Sequence, residues 1–241
     1  MTFTFPPSIP RTALVTGGSR GLGLQLAQAL GEAGARVVIS SRKAADLEEA
    51  TAKLQAAGID ARWIAADVLR QVVQPGDTVV DATLGNGHDT LMLCELVGET
   101  GRVIGFDIQP DAVERTRERL ADAGMLSRCT LYAEGHEHLS ERVITPIRTA
   151  TFNLGWLPGG DKRITTHWET TRAAISAALS LLMKGGVCTI CAYPGHAAGD
   201  EERAALMAYL SALRPQEYNV LHHRFLNAGA GAPECFVVQR Q

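Results

Sequence analysis

The 241-residue chain lacks any apolar run that approaches the roughly 18 residues a membrane-spanning helix needs. Its first residues, MTFTFPPSIPRT, lack the basic start and apolar stretch of a secretory signal, so we expect a cytoplasmic protein that does not enter a membrane. A basic excess is also missing, because 23 Lys and Arg face 26 Asp and Glu, which gives a net charge of −3. The net charge therefore gives no indication of nucleic-acid binding, although a local basic patch is not excluded.

The five cysteines are scattered through apolar segments and give no metal-binding pattern. Cys188 and Cys191 form a C-x-x-C motif, but the surrounding GGVCTICAYPG is typical of a buried strand. A spacing of three residues puts the two thiols on opposite faces of a strand. We therefore expect core thiols and no metal site.

Strand-like and helix-like segments alternate along the whole chain. The predicted strands are 12–17, 36–41, 62–68, 77–84, 102–108, 129–134, 149–156, 187–193, 219–226 and 234–239. Four intervening helices are predicted to end at the glycines Gly34, Gly58, Gly124 and Gly185. This order predicts an α/β fold with a parallel sheet covered on both faces. The short Gly-rich connection 227–233 predicts an antiparallel hairpin at the end of the chain.

Two segments each look like the start of a doubly wound nucleotide-binding fold, one from Thr12 and one from Asp77. Ten strands exceed what one such domain usually needs. Two arrangements are open for the first three strands. They could form one edge of a continuous sheet with 77–84 as their neighbour, or they could form a separate layer. A separate layer would leave an unpaired edge that favours self-association as a homodimer.

The first glycine-rich turn, in RTALVTGGSRGLG, lies between a predicted strand and a predicted helix. Glycines there let the backbone approach a pyrophosphate at the helix N-terminus. With ISSRK and AADV further on, residues 11–68 resemble the N-terminal part of a short-chain dehydrogenase/reductase, and the resemblance ends at Val68. It implies a partial Rossmann βαβαβ unit and an NADP site at Gly17, Arg20, Gly21, Gly23, Arg42 and Asp67. None of the four tyrosines is followed four positions later by lysine, so the family's catalytic Tyr-x-x-x-Lys is absent and we interpret this site as vestigial.

The second glycine-rich turn lies in GDTVVDATLGNGHDT. Asp81 closes the predicted strand, and Gly85-Asn86-Gly87 lets the backbone approach a ligand. We expect Asp81, Gly85 and Gly87 to belong to the cofactor site. The next strand ends in Asp107, about 20 residues beyond the glycines, where a carboxylate is placed to accept hydrogen bonds from ribose hydroxyls. This spacing fits a dinucleotide and S-adenosylmethionine equally well.

The segment FNLGWLPGGDK (152–162) distinguishes between a dinucleotide and S-adenosylmethionine as the ligand. It follows a strand, where class I methyltransferases that act on amino nitrogens carry an Asn/Asp-Pro-Pro-aromatic turn. Methyl transfer to nitrogen needs an uncharged lone pair aimed in line at the sulfonium. The side-chain oxygen of Asn153 and a backbone carbonyl can accept the amine hydrogens, and Trp156 can stack on a base. We expect the amine proton to leave to water or to Asp161.

Residues 69–241 resemble a family once described as rRNA methylases, whose characterised members methylate the 5-aminomethyl group of wobble 2-thiouridine in tRNA. The resemblance rests on DATLGNGHDT, GETGRVIGFDIQ, GHEHL, FNLGWLPGGDK, THWETT, YPGH, FLN and APECFVVQ. It implies an S-adenosylmethionine site at Asn86, His88, Asp89, Asp107, Gln109, His136 and Glu137. It also implies a target side at Asn153, Leu157, Gly159, Gly160, Asp161 and Lys162, with Tyr193 and His196 as substrate contacts. The chain departs from the family at Pro194, where His is usual, and in its N-terminal segment.

The sequence thus predicts a partial dehydrogenase-like segment (1–68) followed by a class I methyltransferase domain (69–241) that acts on the anticodon region of tRNA. Two alternatives stay open: an NADP-dependent oxidoreductase, and a non-catalytic nucleotide-binding chimera in which neither site is competent.

Overall fold

A computed structural model describes residues 12–16, 19–41, 44–65, 68–157, 159–161, 163–224 and 231–241. The chain divides into two compact units, Met1–Gln71 and Val72–Gln241. A short helix, α3 (Val68–Val72), carries the chain from one unit into the other, close to the division predicted at residues 68 and 69. Among the described residues, no helix has both the length and the apolar character that crossing a bilayer requires.

The first unit contains three parallel strands, β1 (Thr12–Thr16), β2 (Arg36–Ser41) and β3 (Ala61–Ala65), in the order β1-β2-β3. Helices α1 (Gly21–Glu32) and α2 (Ala44–Ala56) connect them. Apolar side chains that alternate along β2, Val37 and Ile39, are buried with Leu47 and Leu54 from one face of α2. The predicted βαβαβ unit is confirmed.

The second unit contains a seven-stranded sheet in the order β6-β5-β4-β7-β8-β10-β9. Its strands are β4 (Thr78–Asp81), β5 (Arg102–Phe106), β6 (Cys129–Tyr132), β7 (Ile147–Asn153), β8 (Leu182–Ala192), β9 (Tyr218–His223) and β10 (Glu234–Arg240). Its further helices are α4 (His88–Val97), α5 (Pro110–Asp122), α6 (Leu139–Arg142), α7 (Trp168–Leu181) and α8 (Ala197–Ser211). Strands β4 to β8 pair in parallel, whereas β10 is antiparallel to both β8 and β9, which confirms the predicted hairpin.

The pairing of β4 decides between the two arrangements left open by the sequence. β4 pairs with β5 on one side and with β7 on the other, so it is not a fourth strand of the first sheet. The continuous-sheet arrangement is wrong, and the described strands form two separate hydrogen-bonded sheets.

One predicted helix end is also wrong. Gly34, Gly58 and Gly124 follow the ends of α1, α2 and α5 as predicted, but α7 ends at Leu181 and Gly185 lies inside β8. The register between β7 and β8 shifts between Ile147 and Thr149, so Gly185 lies at an irregularity of the strand rather than at a helix cap.

Two of the thiols lie in the apolar core as expected. Cys94 and Cys188 are buried, and burial raises the pKa of the Cys188 thiol. Cys129, Cys191 and Cys235 are only half-buried. The described residues contain no group of three or more His, Cys, Asp or Glu that could hold a metal ion.

A substitution of Gly87, at the start of α4, tests how tightly α4 and α5 are packed. It has φ of 74°, and a Cβ there would lie 2.8 Å from Oγ1 of Thr116 on α5. Gly124 has a similar φ of 69° but open space around it, so Gly124→Ala is a matched control for backbone strain alone. We expect Gly87→Ala to lower the free energy of unfolding by about 1–3 kcal/mol more than Gly124→Ala, because it adds overpacking to strain. Urea denaturation measures both losses, and equal losses would contradict the packing account.

Candidate active site

A cleft of about 500 Å³ opens at the carboxyl ends of β4, β5 and β7 in the second unit. The carboxyl ends of parallel strands meet at one edge of the sheet, which is where doubly wound folds bind their ligands. The volume falls within the range of about 300–1,000 Å³ that is usual for small-molecule sites.

The glycine turn after β4 forms one wall of the cleft. Leu84 N–H donates to the carbonyl of Phe106 at 3.0 Å, and Gly85 N–H donates to Oδ2 of Asp107 at 2.9 Å. Oδ1 of Asp107 accepts the N–H of Gln109 at 2.9 Å. Each carboxylate oxygen has further lone pairs, so Asp107 is held rigidly by backbone groups and can still accept hydroxyl hydrogens of a ligand.

Two further contacts fix the ligand side of this turn. The guanidinium of Arg119 on α5 donates to the carbonyl of Asn86 at 2.8 Å. Nδ1 of the buried His136 lies 3.2 Å from the carbonyl of Ala82, so Nδ1 carries the proton and Nε2 is left as an acceptor. Burial lowers the pKa of His136, which keeps the ring neutral at physiological pH.

Asp81 lies behind the turn rather than in the cleft. It is fully buried, with Oδ2 accepting the hydroxyl of Thr90 at 2.6 Å and Oδ1 accepting the N–H of Thr83 at 3.2 Å. Burial raises the pKa of its carboxyl to about 7, against an ordinary value of 3.8. The sequence suggested a cofactor contact here, but the geometry gives Asp81 a part in shaping the turn.

The opposite wall is built by the chain that follows β7. The N–H of Asn153 donates to the hydroxyl of Thr83 at 2.7 Å, and its side-chain Nδ2 donates to Oδ2 of Asp89 at 2.8 Å. An ionised carboxylate only accepts hydrogen bonds, so Asp89 determines which end of the Asn153 amide turns away from it. Oδ1 of Asn153 has no hydrogen bond to any described residue and remains available to the cleft.

An aromatic surface continues this wall. Trp156 packs against His196, with ring centroids 4.3 Å apart, and Tyr193 is 42% exposed beside them. All three side chains line the cleft. Such rings offer flat faces on which a nucleobase can stack.

The cleft brings together most of the residues predicted for the second unit. They are Gly85, Asn86, His88, Asp89, Asp107, Gln109, His136, Glu137, Asn153, Trp156, Leu157, Tyr193 and His196. Of the predicted residues that the structure describes, Asp81, Gly87, Gly159, Gly160 and Asp161 do not line it.

Asp161 is not in position to receive a proton from an acceptor in the cleft. Its carboxylate is bound by the guanidinium of Arg163 at 2.6 and 3.0 Å, and this contact lowers the pKa of Asp161. The expectation of Asp161 as proton acceptor therefore does not fit the geometry.

The remaining predicted residues belong to other parts of the chain. Gly17, Arg42, Asp67 and Lys162 lie outside the described residues. Arg20 and Gly21 stand at the N-terminus of α1, and Gly23 lies in its first turn.

Several residues of the cleft were missed by the sequence interpretation, and three of them carry polar side chains that bear on the site. Thr83, Thr166 and His167 all line it. Thr166 and His167 belong to the segment THWETT, which the family resemblance included without assigning roles. Threonine hydroxyls are not distinctive in a sequence, and only the hydrogen bonds of Thr83 and Thr166 to the chain after β7 single them out.

The sheet order, the glycine turn after β4 and the acidic end of β5 together define a class I S-adenosylmethionine-dependent methyltransferase. The putative rRNA methylase of Clostridium thermocellum is 39% identical, with a TM-score of 0.72, and the match covers 73% of this chain and 94% of that one. A methyltransferase of Streptococcus mutans solved in complex with SAH is 34% identical, with a TM-score of 0.67 and the same coverage.

A family profile described as "Putative rRNA methylase" matches residues 103–239. The chloroplastic tRNA (mnm(5)s(2)U34)-methyltransferase of Arabidopsis thaliana is 37% identical over 190 residues, which are 74% of this chain and 69% of that relative. The chain belongs to this rRNA methylase family, and its cofactor is S-adenosylmethionine.

A short chain dehydrogenase profile matches residues 11–85. The short-chain dehydrogenase/reductase SDRA of Arabidopsis thaliana is 45% identical over 58 residues, which are 24% of this chain and only 22% of that relative. The profile extends beyond Val68, where the sequence interpretation ended the resemblance. Its last part covers β4 and the start of the second glycine turn.

The raised pKa of Asp81 predicts how stability depends on pH. The folded state keeps a proton on Asp81 up to about pH 7 that the unfolded state releases near pH 3.8, so the stability linked to this proton is complete at low pH and is lost as pH rises towards 7. Asp81→Asn removes this titration. We expect wild type to lose stability relative to Asp81→Asn at about 1.4 kcal/mol per pH unit inside that window. Denaturant unfolding of both proteins between pH 5 and 8 measures the difference, and a constant difference would contradict the assignment.

Proposed function

We propose that this chain transfers a methyl group to the 5-aminomethyl nitrogen of 2-thiouridine at the wobble position of tRNA. The observation that carries the proposal is the Asn153–Asp89 hydrogen bond of 2.8 Å, which turns an amide oxygen towards the space where an amine would lie. The printed substrate of the Arabidopsis relative, a modified uridine of tRNA, supports the same reaction.

The residues of the glycine-turn wall fit the cofactor. Asp107 has lone pairs free for ribose hydroxyls, and the neutral His136 offers Nε2 as an acceptor. Ile108, 54% exposed beside Asp107, gives an apolar surface for the adenine ring. S-adenosylmethionine, when bound there, would supply an electrophilic methyl group on a sulfonium, with the sulfur as the leaving group.

The residues of the opposite wall would hold the acceptor. Oδ1 of Asn153 accepts one amine hydrogen, the backbone carbonyl of Leu154 accepts a second, and the nitrogen lone pair is thereby directed at the methyl carbon. Trp156 stacks on the base that carries the amine. One amine proton is released to water, since Asp161 is occupied by Arg163.

This proposal places the anticodon region of tRNA at the cleft and the protein in the cytoplasm. The Arabidopsis relative is named as chloroplastic, so cell fractionation in the source organism has to decide the location. Self-association as a homodimer also stays a prediction, and light scattering on the purified protein measures it.

Nucleoside mass spectrometry tests the reaction directly. tRNA that carries the unmethylated 5-aminomethyl group is incubated with the protein, with and without S-adenosylmethionine, and then digested to nucleosides. A gain of one methyl mass on that nucleoside, only when cofactor is present, supports the proposal. Cofactor binding in calorimetry without any methylated nucleoside would contradict it.

Asn153→Ala isolates the contribution of the amide. We expect kcat to fall by about 100-fold or more, because the amine loses the group that orients it. Cofactor affinity should change little, since the glycine-turn wall keeps its contacts. Asn219→Ala, on the exposed strand β9, is the matched control and should keep full activity. Equal activity of the two variants would remove Asn153 from the mechanism.

A fluorescence titration with NADPH addresses the dinucleotide alternative. It needs its own measurement because the dehydrogenase profile covers residues 11–85. Saturable binding together with turnover of a carbonyl substrate would favour a reductase. The absence of a Tyr-x-x-x-Lys motif leads us to expect no turnover.

A further inference from the structure

A buried acid on α8 is connected to the acceptor wall although it does not itself line the cleft. Glu202 is only 4% exposed. Its Oε2 accepts the hydroxyl of Thr166 at 2.6 Å, and its Oε1 accepts the hydroxyl of Thr171 at 2.6 Å. Among the described residues, no cation forms an ion pair with it.

Burying a carboxylate without a cation is costly, and its hydroxyl contacts offset only part of that cost. An apolar residue of similar size would fill the same space more cheaply. An acidic side chain retained in such a place is therefore a candidate for a role in specifying geometry rather than in adding stability.

The geometry that Glu202 specifies is that of the loop after β7. Thr166 has one hydroxyl hydrogen, and it is donated to Oε2 of Glu202. The lone pairs of Thr166 Oγ1 then face the N–H of Gly155, which donates to them at 2.8 Å. The N–H of Thr166 in turn donates to the carbonyl of Gly155 at 3.2 Å.

The residues next to Gly155 and Thr166 extend this backbone pairing to the aromatic surface. Trp156 and Thr165 form an antiparallel bridge, so fixing Thr166 also fixes the backbone of Trp156. Thr171 lies in the first turn of α7 and is fully buried, which gives Glu202 a rigid anchor at its other oxygen.

We propose that Glu202 is a positioning residue for methyl transfer, acting through Thr166 on Gly155 and Trp156. This inference rests on the proposed function for its kinetic consequence. Its structural consequence, an altered setting of Trp156, does not depend on the identity of the substrate.

Glu202→Gln tests the proposal with little change of volume. An amide NH₂ must face one of the two threonine hydroxyls, so the direction of the hydrogen-bond chain is no longer fixed. We expect kcat to fall by about 10- to 100-fold, the loss associated with misplacing reacting groups by about an ångström. The dissociation constant for S-adenosylmethionine should stay within about twofold, because the two hydrogen bonds of Glu202 go to Thr166 and Thr171 and not to the glycine-turn wall. Glu201→Gln, an exposed neighbour on the same helix, is the matched control and should behave as wild type.

Substitutions of Thr166 provide the rescue experiment. Thr166→Val removes the hydroxyl that joins Glu202 to Gly155 and should reproduce the loss of kcat. Thr166→Ser keeps that hydroxyl and should restore most of the rate. Equal losses in the valine and serine variants would overturn the proposal, as would an unchanged rate in Glu202→Gln.

Fluorine NMR on protein labelled with 5-fluorotryptophan reports on the environment of Trp156 in the loop after β7, and it needs no substrate. The three tryptophan resonances are assigned with single Trp→Phe variants. In Glu202→Gln the Trp156 resonance should shift or broaden, whereas in Glu201→Gln it should stay in place. If wild type methylates no tRNA but the Trp156 resonance responds, the proposed function fails and the positioning role survives. An unmoved Trp156 resonance, or loss of cofactor binding together with activity, overturns the positioning role.

Discussion

The hydroxyl of Thr83 is the point at which the two walls of the cleft are joined, and the geometry of the site depends on it. Thr83 donates its own N–H to the buried Asp81 at the end of β4. Its side chain accepts the N–H of Asn153 at the end of β7. Two residues further on, Gly85 N–H binds Asp107 at the end of β5. Because β5, β4 and β7 are adjacent parallel strands, their register brings these groups together and leaves the turn little freedom to shift.

Two buried acidic side chains then set the geometry, one on each wall. Asp81 organises the glycine turn through Thr83 and Thr90, and Glu202 organises the loop after β7 through Thr166 and Thr171. In both cases the partners are hydroxyl or backbone donors rather than cations. Such contacts add less stability than an apolar core would, but each one is directional. Methyl transfer requires this kind of direction, because donor, carbon and acceptor must lie in line.

The sequence was sufficient to predict the strands and helices, but it was insufficient to predict which residues that are distant in the chain contact one another. All ten strands and the terminal hairpin were predictable, because apolar periodicity and turn residues are local signals. Asn153, Trp156 and Asp107 were predictable as cleft residues because each follows a strand end. The hydrogen-bond partner of the Asn153 amide was not predictable, since Asp89 lies 64 positions earlier and resembles an ordinary first-turn residue of a helix. The prediction for Gly185 failed for a related reason. Glycine is favoured both after a helix and at an irregularity of a strand, and only the pairing of β7 with β8 shows which of the two is present.

The two glycine turns of this chain show why the class of chemistry cannot be read from such a turn. A strand, a glycine turn and a helix satisfy the same physical need in both units, namely close approach of backbone N–H groups to a nucleotide. The dehydrogenase profile accordingly continues to residue 85, into a turn that belongs to the methyltransferase sheet. What distinguishes the second unit comes about 70 residues after its glycine turn, where β7 ends in an amide rather than in a proton-transferring pair. An amide held by a carboxylate can orient an amine but cannot take up or supply the proton that accompanies hydride transfer. The reaction class therefore follows from the residues at the end of β7, whereas the glycine turn indicates only that a nucleoside binds.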